Sequence, residues 1–511
     1  MNQELKLKEE KKEGVSKKVE KAENLNSASI DKGEEKAQKP KKKPLKKKEA
    51  SKPLKTDKEE SAQVEKADKR EEKTEDKNSP KVIAPKIEVP KVVLLNDLHS
   101  KSLQDQMDLA AQLNVVKDPA SFKGFDLVVK ICRKYMELGS LIKAEGVLDV
   151  LNEGHGFLRF SEINYTFTQF DVFIPGQKIR KWNLKGGDVV LCSIRPPKDN
   201  EKYFSVSNLE LTNGDSKSVR HRVNFENLTP IYPDEKINFE LENGSSEDIS
   251  LRICDLMVPI GFGQRALIIA QPRAGKTILM QNMAHAITKN HPEVYLMVLL
   301  IDERPEEVTD MKRSVKGEVI SSTFDEPAAR HIQIAEIAIE KAKRLVENGK
   351  NVVLFLDSIT RLARAYNTVM PSSGKILTGG IDASAMEGPK RIFGSARNTE
   401  EKGSLTIIGT ALDKNKSQMD YYILQEFAGT GNCEIYLDKA LADKRVYPAL
   451  EITTSGTRNE DRFFKTETEM QKRWAIRRVV IPMGASAGIE FLTSRIKASK
   501  NNADLFKSMN S

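Results

Sequence analysis

From about residue 251 onward the apolar positions alternate between two textures. Short apolar runs, Leu267–Ile269, Val294–Ile301, Val352–Leu356, Leu405–Ile408 and Glu434–Leu437, read as strands buried on both faces of a sheet. Between them lie helical stretches, Ile278–Ile287 and Arg330–Asn348. The second sets Ile332, Ala335, Ile339, Ala342 and Val346 on one stripe and is closed by Gly349. Strands that alternate with helices predict an α/β domain over residues 251–511, with helices on both faces of a parallel sheet.

Upstream the periods shorten. Residues 144–212 contain five short strands: Gly146–Val150, Gly156–Phe160, Asp171–Ile174, Asp188–Ile194 and Tyr203–Val206. That spacing predicts a small closed β-barrel of the OB type. Residues 91–143 read as a helical subdomain, with a capping pattern at Ser102–Asp105 and a helix over Phe125–Leu138 that Gly139 stops. Residues 213–250 are polar apart from Phe225–Ile231 and read as a connector. Residues 1–90 hold runs such as K-P-K-K-K-P-L-K-K-K with almost nothing apolar to bury, so a disordered charged extension is expected. Its Lys39–Lys48 part can attract nucleic-acid phosphates or simply stay a solvated mixed-charge tail.

Composition narrows the classes. No window of the 511 residues approaches eighteen uninterrupted apolar positions, so no membrane-spanning helix is expected. The basic N-terminus lacks an apolar signal region, and the four cysteines (Cys132, Cys192, Cys254, Cys433) are too scattered to hold a metal. Buried reduced thiols in a cytoplasmic protein are the expectation.

The chemistry concentrates after Leu267–Ile269. Ala270-Gln271-Pro272-Arg273-Ala274-Gly275-Lys276-Thr277 matches G-x-x-x-x-G-K-[ST] except at its first position, and Ile278 opens the following helix. In such a loop the backbone cradles phosphates, Lys276 reaches the outer ones and the Thr277 hydroxyl ligates Mg²⁺. Asp357 ends an apolar strand expected beside the P-loop strand, where a carboxylate orients Mg²⁺. Val294–Ile301 runs into Asp302-Glu303-Arg304-Pro305-Glu306-Glu307, where Glu303 or Asp302 can hold the attacking water; the same cluster also suits an ordinary helix start. Arg458, in the loop Ser455-Gly456-Thr457-Arg458, suits insertion across a subunit interface, with a surface salt bridge as the plainer reading. Lys375 in P-S-S-G-K-I-L-T-G-G, and Lys444 with Arg445, can contact a nucleic-acid backbone. In the barrel, aromatics recur beside cations: Phe157 near Arg159, Trp182 near Arg180, Tyr203 near Lys202. These either stack bases of a single strand or fill the barrel core.

From about Val92 to Ser511 the chain resembles the bacterial Rho transcription termination family. The resemblance rests on F-E-N-L-T-P, G-Q-R-A-L-I-I-A-Q-P-R-A-G-K-T, V-L-L-I-D-E-R-P-E-E-V-T, S-T-F-D-E-P-A, L-D-S-I-T-R-L-A-R-A-Y-N-T, S-G-K-I-L-T-G-G and K-R-V-Y-P-A. It implies a RecA-like ATPase domain and a homohexameric ring. The ring would use ATP and Mg²⁺ to move along single-stranded pyrimidine-rich RNA and release it from RNA polymerase, with no membrane involved. It implies that Lys276 and Thr277 bind phosphates and Mg²⁺, Asp357 organises the metal, Glu303 activates water, Arg304 relays nucleotide state and Arg458 serves the next subunit. Lys375, Lys444 and Arg445 would line the pore. Phe157, Arg159, Asp171, Phe173, Glu201, Lys202 and Tyr203 would hold RNA on the barrel, the carboxylates accepting from cytosine amino groups. Three departures bear on base preference and rate: His155 stands for a Phe, Phe173 for a Tyr and Arg273 for a Lys. A rotary or export-type ATPase would share the P-loop and strand-tip Glu without needing the barrel, and a decayed ATPase would not keep Lys276, Thr277, Glu303 and Asp357.

Overall fold

The computed structural model describes residues 90–115, 124–198, 200–215, 222–371, 379–413 and 417–509. The expectations for residues 1–89 and for Lys375 lie outside the described residues. The described chain opens with β1 (Val92–Leu94), which pairs in parallel with β2 (Leu141–Val150). Helices Leu95–Ser100, Leu103–Gln112 and Gly124–Glu137 come between them. Ser102 caps the second helix by accepting from the Asp105 amide, as its sequence pattern requires. The third buries Leu127, Val128, Ile131, Cys132 and Tyr135 into one core shared with the barrel interior.

The barrel consists of β2, β3 (Gly156–Arg159), β4 (Val172–Ile174), β5 (Val189–Arg195) and β6 (Phe204–Thr212). Pairings run β2–β3–β4–β6–β5 and close through β5–β2. The β4–β6 pair is parallel and the others are antiparallel. Closure removes the free edges that a five-stranded sheet would otherwise expose.

The connector is more ordered than its composition suggests. β7 (Pro230–Ile231) forms a two-residue ribbon with a later strand, and the helix Ser246–Met257 begins where polar linker was expected. Ser245 caps that helix by accepting from the Asp248 amide, so the boundary drawn at residue 250 falls inside it. The main sheet then comprises β8 (Arg265–Ala270), β9 (Tyr295–Glu303), β10 (Glu318–Thr323), β11 (Val352–Asp357), β13 (Leu405–Leu412), β14 (Cys433–Leu437) and β15 (Gly456–Thr457). The partner of β7 is β12 (Asn398–Thr399). Strand order is β10-β9-β11-β13-β8-β14-β15, parallel throughout except for β15. Along β8 the pleat sends Ala266, Ile268 and Ala270 into the core on one face and Leu267 and Ile269 into the core on the other.

Two expectations need correction. Asp357 was expected on a strand beside the P-loop strand, but β13 lies between β11 and β8. The carboxylate still reaches the loop because all three strands run the same way and end at one edge. β10 was missed because four of the six residues of E-V-I-S-S-T are polar; Ser321 and Ser322 are nonetheless buried, and Ser322 bonds to Glu326 and His331.

Candidate nucleotide site and RNA-binding barrel

β8 ends at Ala270, and the loop Gln271–Gly275 turns into the helix Lys276–Asn290. Two loop residues are left-handed, Arg273 at φ +71° and Gly275 at φ +93°. Glycine takes that conformation without the steric cost a side chain would bring. Ala274 is buried, Pro272 and Arg273 are exposed, and Gln271 and Thr277 are half-buried. The loop therefore turns its backbone and its first helical residues outward, at the positive end of the helix dipole.

Lys276 is the hub of an ion cluster at this edge. Its Nζ donates to Asp357 Oδ1 at 2.5 Å and stands 3.7 Å from Glu303 Oε1. Thr410 on β13, which sequence reading did not single out, donates its hydroxyl to the same Asp357 oxygen at 2.7 Å. Arg361 lies 3.6 Å from Glu303 and 3.5 Å from Asp302. Glu303 and Asp357 are both buried, so their charges are costly to hold without cations. Burial, with Asp357 next in weight, pushes the Glu303 carboxyl up to about 7, against the pull of Lys276 and Arg361. Asp302 is left-handed (φ +57°) and half-buried on the Arg361 side. Of the two strand-tip carboxylates, Glu303 is the one beside the P-loop lysine.

Arg304 is exposed at the N-cap of the helix Pro305–Ser314, whose first turn holds Pro305, Glu306 and Glu307. The charge cluster thus also makes an ordinary helix start, as the alternative reading had it. Arg458 lies at the far end of the sheet. It follows β15, whose Thr457 pairs with Cys433 at the start of β14, while Ala270 before the P-loop pairs with Leu437 at its end. Four strand steps at ~3.3 Å separate the two levels by about 13 Å before the P-loop itself begins. Arg458 shares a polar recess with Arg265, Asn432 and Tyr232.

A pocket of about 290 Å³ opens beside the P-loop, lined by Ser246, Glu247, Gly275, Ile278, Leu279 and Tyr447 among others. A Cβ on Gly275 would lie 3.7 Å from the Tyr447 ring. Lys444 and Arg445 sit in the turn just before Tyr447 and are not among the residues that line this pocket. Gly379 packs against Gln418 and Met419, at the start of the helix Gln418–Ala428.

On the barrel, the aromatic residues divide by burial. Phe157 and Arg159 are buried; Phe173, Tyr203 and His155 are half-exposed; Glu201 and Lys202 are exposed. Phe157 lies edge-on to Phe173 at 5.7 Å and to Tyr203 at 5.1 Å. His155 joins the cluster 5.5 Å from Phe173, so it keeps an aromatic face where a Phe was expected. Asp171 lies beneath this surface. It is fully buried, its carboxylate pairs with Arg159 and accepts from the Thr168 amide at 3.0 Å, and Asp149 holds Arg159 from the other side at 2.9 Å. Asp171 thereby orients the Arg159 guanidinium. Glu201 is exposed, and its hydrogen bond from Arg195 holds its carboxyl down at about 2, so it stays ionised.

A parallel-sheet P-loop domain packed with an OB-type barrel that bears aromatic and cationic groups defines a class, nucleotide-binding proteins that hold single strands. Comparison with known proteins narrows it. Residues 144–218 match the family described as Rho termination factor, RNA-binding domain, and residues 250–457 match the ATP synthase alpha/beta family, nucleotide-binding domain. The chain is 52% identical to the transcription termination factor Rho of Cereibacter sphaeroides over 81% of its own length and 98% of that protein's. It is 49% identical to the same factor of Pseudomonas aeruginosa and 48% to that of Salmonella typhimurium, each over 81% of this chain and 99% of the other. A solved ATPase from a type III secretion system is 24% identical over 57% of this chain and 78% of its own, with a TM-score of 0.44, too slight a likeness to bear on the assignment. The chain belongs to the family of transcription termination factor Rho.

Proposed function

We propose that this protein is a ring-forming, RNA-dependent ATPase that moves along nascent single-stranded RNA and releases the transcript from RNA polymerase. The observation that carries this reading is the joining, in one compact unit, of the Lys276–Glu303–Asp357 cluster with the barrel's aromatic face. ATP phosphates would lie over the backbone of Gln271–Gly275, with Lys276 drawn to them, and the base would enter the pocket under Tyr447. One hydroxyl (Thr277) and one buried carboxylate (Asp357) form a hard-oxygen donor set. This suits Mg²⁺, which takes few protein ligands and keeps substrate phosphates and waters. Bound there, the metal supplies positive charge against the phosphates. Glu303, ionised above about pH 7, accepts the proton of the attacking water. Arg458, on the opposite edge of the sheet, serves the P-loop of the next of six copies, and Arg304 carries nucleotide state across the same interface.

On the barrel, Phe157, Phe173 and Tyr203 stack pyrimidines, Lys202 tracks phosphates and Glu201 accepts from cytosine amino groups. Arg159 lends its charge from below. For the pore we propose Lys375 together with Lys444 and Arg445, cations suited to the backbone of a nucleic acid. The protein acts in the cytoplasm; its four cysteines are buried and unpaired, and no helix among the described residues is long and apolar enough to cross a membrane.

ATP hydrolysis measured with and without cytidine-rich single-stranded RNA tests the reading. A severalfold rise with RNA is expected. A high rate that ignores RNA would point instead to the export-type class, and no hydrolysis under either condition to a decayed site.

The acid limb supplies a second test. Because kcat/KM reports ionisations of the free enzyme, its rate should fall as pH drops below about 7, where Glu303 takes up a proton. Arg361→Gln removes a cation that lowers this pKa, so its limb should move to higher pH. A limb that stays in place in this variant would remove Glu303 from the base role.

A further inference from the structure

The barrel carries one more exposed aromatic ring, on the loop between β3 and β4. Phe167 is 52% exposed, yet it is not isolated. Its ring centroid lies 6.2 Å from Phe157 and 6.0 Å from Tyr203, edge-on to both, and the Arg159 guanidinium covers it at 5.0 Å. It continues the row His155, Phe173, Phe157, Tyr203 by one ring. With Arg159 against one face, the solvent exposure falls largely on the other.

A surface loop position eight residues after β3 and five before β4 would ordinarily let such a ring wander. Here the ATPase domain holds it. Asn164 (φ +51°) and Tyr165 (φ +56°) are both left-handed, which turns the Tyr165 side chain inward until it is fully buried. Its hydroxyl donates to Glu318 on β10 and accepts from Lys341 at 3.2 Å. The same glutamate accepts from Tyr295 on β9 at 2.8 Å and from Lys341 at 2.6 Å. From the helix Ala328–Glu347, the Arg330 guanidinium donates to the Asn164 carbonyl, to the Tyr165 carbonyl at 3.2 Å and to the Thr166 hydroxyl at 2.8 Å. Two left-handed non-glycine residues cost of order 1 kcal/mol or more each, so these contacts must over-determine the loop.

We propose that Phe167 is a further stacking position for a base of single-stranded RNA, and that Arg330 is its positioning residue. A phenyl face offers no hydrogen-bond group, so it takes any nucleobase and lengthens the site without choosing among bases. The ATPase domain thereby completes the barrel's RNA surface, and RNA on Phe167 bears on the loop that Tyr165 ties to Glu318 on β10, which Tyr295 of β9, the strand that ends in Glu303, also holds. This inference rests on the RNA-binding reading given above.

The test is a double-mutant cycle in the full chain. Equilibrium binding of a fluorescent oligocytidine is measured for wild type, Phe167→Ala, Arg330→Ala and the double variant, with Phe167→Tyr as the ring-preserving control. Binding of a fluorescent ATP analogue checks that each variant is folded. Phe167→Ala should raise Kd about tenfold, the size of one lost base stack, and an oligoadenosine should lose the same factor. Arg330→Ala should raise Kd severalfold, the double variant should bind no worse than Phe167→Ala alone, and Phe167→Tyr should bind as wild type does. A Phe167→Ala Kd within twofold of wild type would overturn the stacking role. Effects of the two alanines that simply multiply would overturn the positioning role, because independent sites add in free energy. If wild type itself fails to bind oligocytidine, the RNA-binding reading fails and this inference falls with it; tight wild-type binding with an unaffected Phe167→Ala defeats this inference alone.

Discussion

Lys276→Ala is expected to lower RNA-stimulated ATP turnover by ~10²–10³-fold, the scale of removing one preorganised donor from a site where charge develops. Two effects act together. The direct one is loss of the cation that would meet the outer phosphates. The indirect one is local: without Nζ, the Asp357 carboxylate keeps the Thr410 hydroxyl but loses its charged partner, and Glu303 keeps only Arg361, at 3.6 Å. Two buried carboxylates sharing less positive charge favour protonation of one of them, so Glu303 should sit higher than about 7 and be a poorer base at neutral pH. The residual activity of Lys276→Ala should therefore rise with pH further than wild type does. Phosphate release in the presence of RNA, measured across pH, reads both effects. Turnover within tenfold of wild type would mean that Lys276 serves only to pair Asp357.

The extent to which the sequence disclosed this site depended on how far apart its parts lie. The P-loop was readable because strand, loop and helix are contiguous, although the helix begins at Lys276, two residues before the expected Ile278. Glu303 and Asp302 were not separable from composition, since adjacent residues at a strand tip share every local cue. What separates them is a left-handed turn at Asp302 and the approach of Lys276 from another strand. Asp357 was recognisable as a strand-end carboxylate, but the insertion of β13 between its strand and β8, and with it Thr410, follows from strand order and not from any local pattern. Tyr447 escaped notice because its pocket joins residues from the helix Ser246–Met257, the P-loop helix and the turn after β14. Asp171 shows what sequence leaves out in the other direction. The resemblance implied a place for it in RNA binding, and its burial and its pairing with Arg159 are contacts that no local pattern announces. The fold class was the most legible level, since the period of the apolar runs carries it; β10 was the exception, its polar residues satisfied by side-chain hydrogen bonds that sequence cannot show.

Arg458→Ala is expected to cost ~10³–10⁵-fold in turnover while leaving nucleotide affinity nearly intact, the signature of a cation felt mainly in the transition state. The geometry makes a sharper claim than the loss itself. Arg458 lies at the start of β14 and the P-loop beyond the end of β8, about 13 Å apart along the strands, so one chain cannot bring its own Arg458 to its own Lys276. The two residues meet only across an interface between copies, which calls for a complementation test. A Lys276→Ala chain has the arginine without a working P-loop; an Arg458→Ala chain has the P-loop without the arginine. Each alone should be inactive. Mixed and allowed to exchange subunits, they create interfaces where an intact P-loop of one faces the intact Arg458 of the other, and hydrolysis should reappear in proportion to those interfaces. Action within one chain predicts none, because no subunit of either kind holds both groups. A mixture as inactive as its parts, under conditions where the chains demonstrably co-assemble, would place Arg458 outside the catalytic site.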